Sequence, residues 1–254
     1  MKKCLLCTNN DASSQRSHII PKFFREDIYE VVDGRISISL LYVKKKTIKN
    51  TQDLVVQDYL LCEQCESELS YFETISSRIL KNIYSNESNN YFTITSSDFN
   101  IDNIILNRNS EIFNLFFLSL IWRISVSKYF ESFKLNSSVE NEIRNLLLNN
   151  FKYDKKKDIS NKEDVLFKGF EYVLFKPKSK STSCRGGITA YRGSDSIYVI
   201  DLPFISVFIY LNKAIDNILA LKRISIKSIQ GLQLLSMPDD CYNEFNKNKI
   251  KQRL

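Results

Sequence analysis

The chain has 254 residues, of which 43% are hydrophobic and 26% are charged, a balance that is ordinary for a globular protein. Six glycines and four prolines argue against disorder and against a turn-rich sandwich. The net charge of +7, from 36 basic and 29 acidic residues, mildly favours a polyanionic partner such as nucleic acid.

The sequence carries no visible signal for secretion or membrane insertion. The start, MKKCLLCTNN, has no apolar core behind it. The longest apolar runs, 113–122 and 197–211, are short or interrupted by Asp201 and Pro203, whereas a membrane span needs about 20 apolar residues. We therefore expect a cytoplasmic protein without membrane contact, in which paired cysteines bind metal rather than form disulfides.

The first half of the chain is predicted to change from strands to helices. Residues 1–25 predict a cysteine knuckle and a loop. Asp33-Gly34 among β-branched residues predicts a two-stranded hairpin within 31–43. A basic connector, 44–51, and a short strand within 54–61 follow. From Glu63 apolar residues recur with helical spacing, which predicts a helix of about 20 residues, and a short strand follows at 91–95.

The second half predicts two more helices and several strands. The helices are expected at 111–133 and 138–149, the latter capped by Ser137 or Ser138. The charged stretch 152–164 is the expected linker or exposed loop. Segment 205–211 fits either a strand or a buried helix, and 212–222 fits a helix. Strands are predicted at 166–175, 188–191 and 197–201, with a turn at 192–195.

Two Cys-x-x-Cys pairs are the strongest chemical signal in the chain. Two such pairs, here called clips, can supply four thiolates to one tetrahedral zinc ion. The long interval between them is tolerable because the cost of loop closure grows only logarithmically with length. The alternatives to a zinc site are that the two pairs are reduced thiols in the core, or that one of them is a redox pair. Cys184 and Cys241 stand apart from these pairs in the sequence and are expected to be small hydrophobic residues. The clip residues are Cys4, Cys7, Cys62 and Cys65.

The only histidine, His18, lies between the clips in the segment Ser-His-Ile-Ile-Pro, residues 17–21. Over about residues 4–84, the chain resembles the zinc-stapled HNH endonucleases. The resemblance lies in three segments in order, namely the first clip, then His-Ile-Ile-Pro, then Leu-Leu-Cys-x-x-Cys at the start of a helix. Those enzymes have the ββα-metal (treble-clef) fold. The resemblance implies that His18 accepts a proton from the attacking water, a role that suits neutral imidazole. It also implies that Glu66 helps hold a catalytic Mg²⁺ or Mn²⁺, and Glu73 shares its helix face.

The chain departs from the family pattern at two places. Ser17 stands where an acidic residue or histidine usually precedes the catalytic histidine, and a hydroxyl is a weak metal ligand. Gln57 or Asp58 falls where an asparagine usually orients that histidine. These departures leave open a catalytically inactive zinc-binding module that binds nucleic acid or a protein partner.

The sequence therefore predicts an α+β protein in two parts. Residues 1–90 form a treble-clef zinc module, and residues 105–254, of unknown role, are mainly helical with a small antiparallel sheet. The expected function is hydrolysis of DNA phosphodiester bonds with a structural zinc ion (Zn²⁺) and a catalytic Mg²⁺ or Mn²⁺, which the family associates with bacterial or phage-related defence. DNA is the expected partner and RNA an alternative, and residues 105–254 offer a homodimer or partner interface. The basic residues expected to contact nucleic-acid phosphates are Arg16, Lys22, Arg25, Lys44, Lys45 and Lys46.

Overall fold

The computed structural model describes residues 2–13, 16–27, 30–32, 35–42, 47–51, 54–85, 92–96, 102–106, 110–151, 170–177, 188–194, 197–211, 232–237, 240 and 243–244. The chain forms two compact units, an N-terminal unit of Met1–Glu73 with Phe117–Lys152 and a C-terminal unit of Thr74–Phe116 with Tyr153–Leu254. The predicted α+β class is confirmed. The predicted modules, 1–90 and 105–254, stay predictions, because compactness does not test which segments fold alone.

The N-terminal unit contains two small antiparallel sheets. The two-stranded sheet pairs β1 with β5, and the three-stranded sheet has the order β2-β3-β4. The predicted hairpin is confirmed as β2 and β3, whereas residues 47–51, predicted as a connector, form β4. Thr47, Ile48 and Thr51 are β-branched, and the long β3 offers them a free edge. The strands are β1 (Arg16–His18), β2 (Glu30–Val32), β3 (Arg35–Tyr42), β4 (Thr47–Thr51) and β5 (Val56–Asp58).

The described residues contain three α-helices, α1 (Glu63–Ser85), α2 (Ser110–Val126) and α3 (Ser137–Asn150). All three were predicted. α3 is capped by Asn136 rather than by a serine, because the Asn136 side chain accepts a hydrogen bond from the backbone N–H of Val139 at 2.8 Å. Short 3₁₀ turns lie at Lys22–Asp27 and Glu131–Phe133.

α2 ends before the predicted residue 133, and the side chains that follow it explain why. The Ser127 hydroxyl donates to the carbonyl of Ile124 at 3.1 Å and accepts from the backbone N–H of Tyr129 at 3.4 Å. Such bonds offer the backbone an alternative to helix. The Lys134 ammonium also donates to the carbonyls of Ser125 and Ser127, which satisfies acceptors that a helix end leaves open.

The C-terminal unit is built on a seven-stranded sheet with the order β6-β7-β12-β8-β11-β10-β9, in which β12 and β8 are parallel and the other pairs antiparallel. Segment 205–211, left open between strand and helix, is strand β11. The predicted turn at 192–195 is replaced by β9 as far as Ser194, and β7 and β12 were not predicted. The strands are β6 (Phe92–Ser96), β7 (Asp102–Leu106), β8 (Phe170–Pro177), β9 (Thr189–Ser194), β10 (Ile197–Leu202), β11 (Ile205–Leu211) and β12 (Leu232–Met237).

Some predictions lie outside the described residues, namely the loop at 152–164 and the helix at 212–222. Across the described part of the chain, no helix is both long enough and apolar enough to cross a membrane. α2 has 17 residues and carries Arg123 among its apolar side chains.

Replacing the cap residue tests the start of α3. We expect Asn136→Ala to lower the free energy of unfolding by about 1 kcal/mol, because the N–H of Val139 loses its acceptor. Asn136→Ser, which restores an acceptor, is expected to be close to wild type. Urea denaturation followed by circular dichroism measures both, and equal losses in the two variants would contradict the capping role.

Candidate functional site

The four clip cysteines lie together, as predicted. Their sulfur atoms are all within 4.8 Å of one another, and the Cys7 Sγ is 3.8 Å from the Cys62 Sγ. Four sulfurs at about 2.3 Å from a tetrahedral zinc ion would be about 3.8 Å apart, whereas disulfide sulfurs are about 2.05 Å apart. The cluster of Cys4, Cys7, Cys62 and Cys65 could therefore hold a metal ion, and its donor set is consistent with structural zinc.

Backbone hydrogen bonds shape the first clip into a tight knuckle. The N–H of Thr8 donates to the carbonyl of Cys4, and the N–H of Cys4 donates to the carbonyl of Asn10, both at 2.9 Å. Thr8 has a φ of 61°, which reverses the chain in a conformation that is costly for a β-branched residue. The N–H of Leu5 donates to the carbonyl of Leu60 at 3.0 Å, so the knuckle is tied to the segment that leads into the second clip.

The second clip lies at the start of α1. Cys62 immediately precedes the helix, and its carbonyl accepts the helical N–H of Glu66 at 3.0 Å, while Cys65 lies in the first turn. The side-chain amide of Asn10 donates to the Cys62 Sγ at 3.7 Å and to the Gln64 Oε1 at 3.4 Å. The positive end of the helix dipole and this outer hydrogen bond both stabilise thiolate charge.

Protons are shared unequally among these sulfurs. A hydrogen bond with the Cys65 side chain lowers the pKa of Cys4 to about 4, helped by backbone hydrogen bonds and opposed by burial. The same bond raises the pKa of Cys65, together with burial and repulsion from the neighbouring sulfurs. A metal ion that binds the cluster must displace the remaining protons, so its affinity rises with pH.

His18 ends β1, within a segment predicted as a loop, and the backbone there is held on two sides. Its carbonyl accepts a hydrogen bond from Nη1 of Arg123 at 2.9 Å, and the N–H of Ile19 donates to the carbonyl of Val55 at 3.0 Å. Its side chain is partly exposed, whereas Ser17 is buried. Successive residues of a strand point to opposite faces, so the imidazole lies at the accessible side of a fixed strand end.

Glu66 lies close enough to His18 for their charges to interact. Burial raises the pKa of Glu66, against a hydrogen bond from Ser17 and the positive charges of Arg123 and His18, while Glu73 raises it further. The Glu66 Oε1 is buried without a hydrogen-bond partner among the described residues. We call Ser17, His18, Glu66, Glu73 and Arg123 the His18 cluster.

Arg123 is the residue of this cluster that sequence reasoning missed. Its side chain is 2% exposed, and its Nη1 lies 2.6 Å from the Glu73 Oε1 as well as near the His18 carbonyl. Its Nε donates to the carbonyl of Ser119 at 3.3 Å. One buried guanidinium thus ties α1 and β1 to α2. A signal existed, because Arg123 is the only charged residue between Glu111 and Lys128.

The residues expected to orient His18 have other partners. The Gln57 Oε1 accepts the backbone N–H of Lys128 at 3.0 Å. Asp58 lies on the surface, where its Oδ1 is 3.7 Å from the Nε of Arg16. Neither contact holds the imidazole.

The predicted phosphate-binding residues are only partly described. Arg16 is exposed on β1, and Lys22 and Arg25 lie on the 3₁₀ turn that follows. Lys44, Lys45 and Lys46 lie outside the described residues. Contact with nucleic acid stays a prediction for all six.

A catalytic Mg²⁺ or Mn²⁺ does not fit the His18 cluster as a ready-made site. Apart from the cysteine cluster, the described residues gather no group of three His, Cys, Asp or Glu side chains that could hold a metal ion. The free oxygen of Glu66 is shielded from solvent, and the guanidinium of Arg123 already supplies a positive charge nearby. The carboxylates therefore lack the additional ligands that a preassembled divalent site needs.

Comparisons with known protein families, with curated proteins and with solved structures found no match to this chain. The resemblance to HNH endonucleases therefore rests on the quoted motifs alone, and the part of it that the structure supports is a four-cysteine cluster that could hold a metal ion.

Removing one sulfur tests the cysteine cluster. We expect the purified chain to carry one tightly bound metal ion and Cys62→Ser to lose most of it, because three thiolates no longer complete the tetrahedral set. Elemental analysis by mass spectrometry gives the metal-to-protein ratio. Cys184→Ser, which changes a cysteine outside the cluster, serves as the matched control, and equal metal loss in both variants would contradict the assignment.

The buried ion pair gives a second prediction. We expect Arg123→Met to lower the free energy of unfolding by about 3–5 kcal/mol, because Glu73 keeps its charge without its partner. The double variant Arg123→Met, Glu73→Gln is expected to lose less than the two single variants together. Arg78→Met, at an exposed position of α1, should change stability by less than about 0.5 kcal/mol. Additive losses in denaturation experiments would argue against a coupled pair.

Proposed function

We propose that this chain is an HNH-like endonuclease that hydrolyses DNA phosphodiester bonds, with structural zinc in the cysteine cluster and His18 as the general base. The observation that supports the proposal is the position of His18. Its partly exposed side chain lies at the end of β1, and the preceding residue, Ser17, makes a hydrogen bond with Glu66 on the helix that carries the second clip.

The proposed zinc has a structural role because four thiolates complete its coordination. A closed site leaves no position for water or substrate, so the ion stabilises the fold rather than reacts. Structural zinc contributes on the order of 10 kcal/mol to folding. It would hold the knuckle against the start of α1 and thereby fix where Glu66 lies.

The chemistry of the chain's own residues then centres on His18. Water is a poor nucleophile at neutral pH, and a neutral imidazole can take its proton as the water attacks phosphorus. The ester P–O bond breaks as the new one forms, and the leaving alkoxide takes a proton from bulk water. The hydrogen bond that Arg123 donates to the His18 carbonyl holds the end of β1 in place. Glu66, which lies on α1 and makes a hydrogen bond with Ser17, is the acid that we propose assists His18. Lys22 and Arg25, on the turn after His18, are the proposed phosphate contacts.

A second candidate function is a zinc-binding module that binds nucleic acid without cleaving it. The engagement of Gln57 with the backbone of Lys128 favours this candidate, because this hydrogen bond occupies the amide oxygen that was expected to orient the imidazole. The burial of Ser17 beside Glu66 favours it as well, since a hydroxyl adds no metal ligand of useful strength.

Cleavage assays with single variants decide between the two candidates. We expect wild type to cut plasmid or single-stranded DNA in the presence of Mg²⁺ or Mn²⁺, and His18→Ala to be at least about 100-fold slower, because the proton acceptor is gone. Glu66→Gln is expected to lose activity and Glu63→Gln, at an exposed position in the same helical turn, to retain it.

Every variant must first match wild type in metal content and circular dichroism. If no protein cuts DNA while the metal and fold are intact, catalysis is refuted and the second candidate stands. If His18→Ala cuts as fast as wild type, His18 is not the base.

A further inference from the structure

Three large apolar side chains are exposed among the described residues, and all belong to the N-terminal unit. They are Leu5, Tyr59 and Tyr129, with exposed fractions of 42%, 44% and 40%. Single exposed apolar residues are normal on protein surfaces. Two tyrosines in one region are notable because an aromatic ring exposed to solvent is a ready stacking platform.

Contacts place both tyrosines beside the same strand. Tyr59 directly follows β5, and its φ of 56° turns the chain there. The side chain of Gln57, on β5, accepts the backbone N–H of Lys128 at 3.0 Å, and Tyr129 is the next residue. The loop that carries Tyr129 is therefore held against the strand that precedes Tyr59.

Each tyrosine has a lysine over its ring. The Nζ of Lys2 is 5.6 Å from the ring centroid of Tyr59, and the Nζ of Lys128 is 5.3 Å from that of Tyr129. We call Lys2, Tyr59, Lys128 and Tyr129 the tyrosine-lysine surface.

This combination fits one kind of polymer better than others. A single nucleic-acid strand offers unpaired bases that stack on aromatic rings and phosphates that bind cations. In a duplex the bases stack on one another, so their faces are not accessible. A duplex would contact the lysines through its phosphates but would not stack on the tyrosines. The two ammonium groups of Lys2 and Lys128, each beside an exposed ring, match a polyanion.

We propose that the tyrosine-lysine surface binds single-stranded nucleic acid, with Tyr59 and Tyr129 stacking on bases and Lys2 and Lys128 contacting phosphates. This inference deepens the proposed function, on which it rests, by naming the form of the substrate. Binding does not need His18, so it can be measured separately from cleavage.

Fluorescence anisotropy with labelled oligo(dT), oligo(rU) and a duplex of equal length tests the proposal. The protein is the full chain with His18→Ala, which prevents cleavage during the titration. Both single strands are expected to bind more tightly than the duplex. Tyr59→Ala and Tyr129→Ala should each weaken single-strand binding about tenfold, whereas Tyr59→Phe and Tyr129→Phe, which keep the ring, should stay within about twofold.

The lysines are tested by salt dependence. Lys128→Gln is expected to lower the slope of log affinity against log salt by about 0.7, the value for one lost contact to a single strand. Elemental analysis and circular dichroism must show that each variant retains the fold and metal of the parent.

Three results would overturn the inference. They are equal affinity of the alanine and phenylalanine variants, tighter binding of the duplex, and no binding of either single strand by a folded protein. In the last case, cleavage of duplex DNA by wild type would leave the proposed function intact. Conversely, ring-dependent binding without any cleavage would support this surface and refute catalysis. A difference between oligo(dT) and oligo(rU) identifies DNA or RNA as the preferred strand.

Discussion

The N-terminal unit depends on holding four sulfur atoms within 4.8 Å of one another. Thiolates at that separation repel strongly in a low-dielectric interior, so the cluster forms only when shared protons or a cation offset the charge. Both halves of the cluster are costly to build, since the knuckle needs Thr8 at a positive φ and the second clip needs a helix start beside it. A metal ion held by the cluster would therefore stabilise the folded state of this unit directly.

Because α1 is a rigid helix, the positions of the sulfur atoms also determine the positions of residues in the His18 cluster. Cys65 and Glu66 are neighbours in the first turn, so coordination at one residue fixes the direction in which the other projects. Glu73 lies about two turns further along the same face, where the guanidinium of Arg123 joins it to the carbonyl of His18. The His18 backbone and the Glu66 side chain are thus positioned by two anchors, a buried arginine for the first and the sulfur cluster for the second.

The sequence predicted those parts that follow from local spacing. Cys-x-x-Cys pairs are recognisable because the chemistry of a metal clip acts between residues three apart, and the helix from Glu63 follows from its apolar period. Arg123 was missed because its partners, Glu73 and His18, are distant in the chain and only the fold brings them together. The early end of α2 likewise depends on Lys134, which reaches back to its last carbonyls. Strands β7 and β12 were not predicted for the same reason, since their pairing is long-range and β12 lies parallel to β8.

The charge balance of the His18 cluster explains why Ser17 matters for either function. A carboxylate at position 17 would lie beside Glu66 and create a need for a divalent cation, because two buried acids cannot both stay ionised without one. Serine instead offers Glu66 a neutral hydrogen bond, and Arg123 offsets the charge of Glu73. The described part of the His18 cluster therefore contains no second acid beside Glu66 that would call for a divalent cation, and the positive charge that its carboxylates face comes from Arg123.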